Sequence, residues 1–198
     1  ENARFARILT EHKITFIGPS EHHISIMGDK ITAKQTAVEL GIPVVPGSVG
    51  EVATEADATF VHDVYGHYVY HSNATFSTEN PDVEAYRQKI NHTLEMYPFY
   101  ICELDGVPCG FAYGAQIRPH EAYKWDVEAT IYLSPDTPRR TGLGAMLYRK
   151  LIDTLTLQGF KTVYGVITDS NEPSLALHRA LGFTQAGHFS NMGFKNGQ

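Results

Sequence analysis

The sequence predicts a mixed α/β domain preceded by an α/β extension, and three observations carry that reading. Two apolar runs flank Asp105-Gly106, a strong turn signal for an antiparallel hairpin. A third run, DVEATIYLS (126–134), feeds through a glycine-containing corner into an amphipathic stretch. Strand–helix–strand spacing then continues toward the end of the chain.

Bulk properties narrow the field. A chain of 198 residues, 42% hydrophobic and 19% charged without low-complexity runs, can bury a real core. The net charge of −6 and the lack of a dense Lys/Arg tract exclude the broad footprint of a nucleic-acid binder. No apolar segment approaches the ~20 residues that span a bilayer. The opening ENARFARILTEHK lacks the apolar core of a secretory signal, so the expectation is a cytoplasmic protein with no membrane partner. In that setting the N-x-S/T triplets at Asn73 and Asn91 carry no glycan.

Taken in order, Phe5, Ile8 and Leu9 lie at helical spacing, and ITFIGPS (14–20) reads as a short strand ending in a Gly-Pro turn. A second helix is expected from Asp29 to Leu40, and the Pro/Gly-broken run 42–57 is a linker, a strand or both. Phe60, Val61, Val64, Tyr65 and Tyr68 mark one face of a helix from about Glu55 to Tyr70, and Val83, Tyr86, Ile90 and Leu94 mark another. FYICEL and PCGFAYGAQI form the hairpin. Counted outward from its turn, Cys102 and Cys109 face one another at a hydrogen-bonded position, and a reducing compartment leaves them unbridged as small core residues. Leu143, Met146, Leu147, Leu151 and Leu155 give the next helix a buried stripe. FKTVYGVIT is read as a strand, PSLALHRALGF as a short helix closed by Gly182, and HFSNMGFK as a last strand.

The corner SPDTPRRTGLGAMLYRKL (134–151) sets arginines and glycines ahead of a helix start. Glycine lets backbone approach a ligand, the free N–H groups of a helix start attract anions, and the arginines add charge. A phosphate-bearing guest fits. A Walker-type loop does not, because no Lys-Ser or Lys-Thr follows the glycines.

The runs ATEADATFVHDVYGHYVYHSNATFSTE, EAYKWDVEATIYLSP, RRTGLGAMLY, QGFKTVYGVIT, PSLALHRALGF and MGFKNGQ, in this order, resemble acyl-CoA N-acyltransferases of the GNAT superfamily, in particular the phosphinothricin acetyltransferase branch. The resemblance implies a mixed, mostly antiparallel sheet flanked by helices over residues 53–198. It implies acetyl-CoA as co-substrate, with pyrophosphate at Arg139, Arg140, Gly142, Leu143 and Gly144, and no metal. The pantetheine arm would pair with backbone around Ile131 and Leu133, near Asn171 and Ser174. The corner is one residue longer than the commoner pattern between Pro135 and the glycines.

For chemistry, the resemblance places Glu128 as base for an attacking amine and His178 beside the reaction centre, where imidazole can accept or donate a proton near neutral pH. Phe76, Arg118, Tyr123 and Trp125 match acceptor-pocket segments, and an arginine can grip a carboxylate. The implied reaction is acetyl transfer to the primary amine of a small amino-acid-like acceptor such as phosphinothricin or methionine sulfoximine. His120 stands where the branch often has a second arginine, and relatives differ at Ser77.

Residues 1–52 resemble a fragment of biotin carboxylase, with Lys30 in MGDK at a position that family uses against ATP phosphate. The glycine-rich lid, metal-binding carboxylates and carboxylation site of that family are missing from the run, so ATP and biotin chemistry is the weakest alternative. The junction at GEVATEADA makes the chain a chimera in which SVGEVA must replace the acyltransferase's first strand or the sheet begins one strand short. At the other end, GFKNGQ stops where the branch continues with a tryptophan and a final strand, which predicts an open edge that favours homodimerisation, aggregation or low stability. The competing functional reading is a catalytically silent acyl-CoA-binding or structural chimera.

Overall fold

A computed structural model describes residues 3–12, 18, 20, 22 and 53–197. The chain divides into two compact units, Glu1–Glu51 and Val52–Gln198. In the first, helix α1 spans Ala3–Glu11. The strand expected at 14–20, the helix expected at 29–40, Lys30 and nearly all of the SVGEVA segment lie outside the described residues.

In the second unit, α2 (Glu55–His71) starts at a capping box: Asp57 N–H donates to Thr54 Oγ1 at 3.1 Å, and Thr54 N–H donates to Asp57 Oδ2 at 2.9 Å. Helix α3 (Val83–Met96) is capped by Asp82, whose Oδ1 accepts from Ala85 N–H at 2.8 Å. Strands β1 (Phe99–Leu104) and β2 (Val107–Gln116) form the expected hairpin, with positive φ at Asp105 (52°) and Gly106 (77°) as a type I′ turn requires. Next come β3 (Asp126–Leu133), α4 (Leu143–Leu157), β4 (Thr162–Tyr164) and α5 (Glu172–Ala180). The sheet order is β1-β2-β3-β4, antiparallel through β3 and parallel between β3 and β4.

Three expectations are corrected. A bulge between Cys102 and Glu103 pairs Cys102 with Gly110, so Cys109 is the extra residue and the two cysteines are not direct partners. Both are free, and burial with help from Cys102 pushes the Cys109 thiol up to about 11. FKTVYGVIT yields a strand of only three residues, Thr162–Tyr164. HFSNMGFK forms no strand, because Asn191 adopts a left-handed φ of 57° that breaks an extended run in its middle.

The sheet buries two different faces. Phe111, Tyr113 and Tyr132 pack with Val61, Val64, Tyr86 and Ile90 under α2 and α3. Ala112, Val127 and Ala129 pack with Leu147, Tyr148, Leu151 and Leu155 under α4. Strand alternation assigns Glu128, paired with Ala115 and lying between Val127 and Ala129, to the α2/α3 face. No helix among the described residues is long and apolar enough to cross a membrane.

Candidate active site

The β3–β4 ladder ends at Glu128–Tyr164, and from there β3 runs on without a partner on that side. Tyr148 Oη donates to the Ala129 carbonyl at 3.0 Å and Tyr68 Oη to the Leu133 carbonyl at 2.8 Å. These two bonds identify residues 129, 131 and 133 as those turned away from β2, so the backbone of Ile131 faces the opening between them. Leu133 offers its amide there, its carbonyl being occupied by Tyr68.

At the end of β3 the corner is held from below. Thr137, buried, donates its hydroxyl to the Cys109 carbonyl, which also accepts from Ser134 N–H at 2.9 Å. Arg140 and Gly142 both have positive φ, 61° and 83°, so the chain passes twice through the left-handed region before α4 begins. A Cβ on Gly142 would meet nothing within 4 Å, so the space beside it stays open to a guest. At Gly144 a Cβ would sit 3.2 Å from Leu133 Cδ1, so the helix start lies close against the end of β3. Leu143 buries its side chain and leaves its amide in the first turn, where no intrahelical acceptor exists. Arg139 is near enough to Tyr68 to pull its phenol down against the upward push of burial, which puts a cation at the mouth of the opening.

Glu128 is half-buried; burial raises its carboxyl above the ordinary range, and Lys89 opposes that shift. His178 is buried, ringed by Tyr148 and Phe183 at 5.0 and 4.9 Å between centroids. Its Nδ1 lies 2.8 Å from the Ser174 carbonyl, which can only accept, so this nitrogen carries a proton. Nε2 meets Tyr148 Oη at 3.0 Å. His178 therefore reaches the opening through Tyr148, and burial lowers its pKa, with the Ser174 bond partly opposing. Asn171 and Ser174 form the α5 cap, Asn171 Oδ1 accepting from Ser174 N–H at 3.3 Å.

On the α2/α3 face a groove of about 150 Å³ is lined by Tyr65, Ser77, Glu79, Tyr86 and Lys89 among others. Tyr65 Oη bonds both Thr75 Oγ1 at 2.7 Å and Ser77 Oγ at 2.9 Å, fixing the loop after α2. The same loop is stapled to the end of the chain: buried Lys195 donates to the carbonyls of Ser72 at 3.0 Å and Thr75 at 2.8 Å. Half-exposed Phe76 lies against Gly193, where an added Cβ would strike its ring. Arg118, Tyr123 and Trp125 lie instead on the β2–β3 connection, outside the groove lining, with Lys124 Nζ 5.1 Å from the Trp125 ring centroid. Sequence reasoning missed Lys89, Tyr148 and Lys195. Helical phase places Lys89 three residues after inward-facing Tyr86 without showing where its ammonium turns; nothing periodic marks Lys195. Among the described residues no group of three His, Cys, Asp or Glu is placed to hold a metal.

A strand edge open to an extended amide arm, leading to a helix start suited to phosphate, is the working surface of an acyl-CoA-dependent N-acyltransferase. Comparisons agree. Residues 51–198 match the family model for an acetyltransferase (GNAT) domain. Phosphinothricin N-acetyltransferase of Streptomyces viridochromogenes is 38% identical over 145 residues, 73% of this chain and 79% of that protein. The structure of a GNAT superfamily phosphinothricin acetyltransferase from Sinorhizobium meliloti in complex with AcCoA superposes with a TM-score of 0.70 at 32% identity, covering 75% of this chain and 80% of that one. The N-terminal segment matches biotin carboxylase of Nostoc sp. at 54% identity over 57 residues, 29% of this chain and 13% of that protein. The chain belongs to the GNAT acetyltransferase family, and acetyl-CoA is its acyl donor.

Proposed function

We propose that residues 53–198 form an acetyltransferase domain that moves the acetyl group of acetyl-CoA to the primary amine of a small amino-acid-like acceptor of the phosphinothricin or methionine sulfoximine type. Residues 1–52 are an extension that takes no part in the chemistry. The observation that carries this reading is the position of Glu128, half-buried where the β3–β4 ladder ends and on the sheet face that α2 and α3 cover. Glu128 takes a proton from the acceptor ammonium, the freed amine attacks the thioester carbonyl, and the tetrahedral intermediate collapses to amide and thiolate. Ile131 and the Leu133 amide pair with the pantetheine arm, and the corner from Arg139 to Gly144 takes the pyrophosphate. His178, joined to Tyr148, takes the second proton that the amine nitrogen of the intermediate must lose and passes it to the leaving thiolate.

The three-residue β4, with no strand formed after α5 among the described residues, favours a second reading: acyl-CoA binding without turnover. Calorimetric titration of the folded chain with acetyl-CoA, with ATP as control, followed by an acceptor screen, separates the two. Saturable acetyl-CoA binding and acetylation of phosphinothricin or methionine sulfoximine support the transferase. Binding with no acceptor turned over supports the silent form, and a folded chain that ignores acetyl-CoA refutes both.

A further inference from the structure

Lysine on an exposed helix ordinarily extends its ammonium into water while its stem covers the surface. Lys89 on α3 is exposed, yet its ammonium turns toward the sheet. Its Nζ reaches inward to donate to the hydroxyl of buried Tyr113 at 3.2 Å, and it lies 5.0 Å from the Tyr113 ring centroid and 5.9 Å from that of Tyr65. Ring faces stabilise a cation without neutralising it. Among the described residues Lys89 has no carboxylate within ion-pair distance, and one neutral hydroxyl uses only one of the ammonium's three donors.

The surroundings give that unspent charge a direction. Lys89 lines the groove that Ser77 and Tyr65 wall, and its field reaches Glu128 on β3. The groove therefore holds a cation, and a proton-accepting carboxylate lies on the same sheet face, one diagonal step from the Tyr113 that Lys89 bonds. An amino acid carries the complementary pair, an amine for Glu128 and an oxyanion a few bonds away. Exposed Glu79 at the same groove sets a second acidic charge, which disfavours oxyanions that do not reach Lys89.

We propose that Lys89 is the acceptor-selecting residue of the groove, its ammonium receiving an oxyanion of the acceptor, carboxylate or phosphinate. Resting on the acetyl-transfer reading above, it gives Lys89 the task that sequence reasoning assigned to Arg118.

The test compares wild type with Lys89→Met, which keeps the stem and removes the charge, and with Lys89→Arg, which restores a cation. Acceptors are methionine sulfoximine, phosphinothricin and the α-carboxamide of each. Lys89→Met is expected to raise KM at least about tenfold for the acceptor whose oxyanion it receives, while changing KM for methionine sulfoximine carboxamide, which carries no oxyanion, less than twofold. Acetyl-CoA affinity and melting temperature stay at wild-type values, and Lys89→Arg recovers most of the loss. A loss shared by both acids places the α-carboxylate on Lys89, and a loss confined to phosphinothricin places the side-chain phosphinate there. Equal losses for methionine sulfoximine and its carboxamide, or no change for any acceptor, overturn the proposal.

Failure of the underlying activity reads differently. If wild type acetylates nothing, calorimetric titration with phosphinothricin in the presence of CoA still decides. Saturable binding that Lys89→Met abolishes retires the acetyl-transfer reading and keeps the oxyanion site; binding that is absent or unaffected by the substitution removes the site as well.

Discussion

Along β3 the backbone of Ile131 and the first-turn amides of α4 face the opening, whereas across the sheet the groove is walled by the side chains of Tyr65, Tyr86 and Lys89. The donor half is made of main chain and helix geometry, contributed by one contiguous stretch from β3 into α4. The proposed acceptor half is assembled from α2, the loop after it, α3 and a lysine near the end of the chain. Main-chain groups persist through substitution as long as the fold persists, so the donor half responds to changes in backbone conformation. The acceptor half responds to single side chains, which is where relatives with one cofactor can diverge in substrate.

The sharpest way to break this comparison sets Glu128→Gln against Gly142→Val. Glu128→Gln is expected to lower kcat about 10²–10⁴-fold with acetyl-CoA affinity within twofold of wild type. Gly142→Val forces a β-branched residue into a φ of 83°, at a cost of about 1–2 kcal/mol, and fills the open space beside the corner. Its expected signature is acetyl-CoA binding weakened about tenfold or more by calorimetry. Equal turnover by wild type and Glu128→Gln would remove Glu128 from the mechanism.

Lys195→Met probes the acceptor half from a distance. It deletes two charge-assisted bonds and leaves the carbonyls of Ser72 and Thr75 without them, so denaturant unfolding should show a loss of about 1.5–3 kcal/mol. Because Thr75 and Ser77 both bond Tyr65, acceptor KM should rise several-fold while acetyl-CoA affinity holds. A rise in both constants together would mean that the staple supports the whole domain and not the groove.

The smallest effect lies in pH. Glu128 can take a proton only as carboxylate, and burial raises its pKa, so kcat should fall with decreasing pH along a limb above the ordinary carboxylate range. Lys89 opposes that rise, so Lys89→Met should move the limb further up in a pH–rate profile. A downward move would contradict the assigned electrostatics.

The same division explains what could be read from the chain. The Asp105-Gly106 turn, the glycine corner and the apolar stripe of Leu143, Leu147, Leu151 and Leu155 are local signals, each enforced by backbone sterics or helical period, and the structure follows them, except that Met146, expected in the stripe, is exposed. Sequence spacing erred where non-local context decides. The Cys102–Gly110 pairing depends on a bulge whose extra residue, Cys109, gives its carbonyl to Ser134 and Thr137. The brevity of β4 depends on where it parts from β3. Lys195 meets Ser72 and Thr75 only because the fold returns the last residues to the loop after α2, a contact no periodicity announces. The groove was legible in kind, through the aromatic helix faces, but not in its charge, because nothing in helical phase distinguishes an exposed lysine whose ammonium meets Tyr113 from one that meets only water.

Trp125 is the single tryptophan of the chain, half-exposed, with an ammonium over its ring and its carbonyl accepting from Lys161 N–H at 2.8 Å and Thr162 N–H at 3.4 Å. It thus ties the β2–β3 connection to the first residues of β4, at the paired start of the β3–β4 ladder and three residues before the strands part. Emission excited at the red edge of the ultraviolet arises from this one indole, which gives the protein an intrinsic optical gauge at the seam of the sheet. A change in its intensity or wavelength on adding a ligand can be followed in stopped flow without any label.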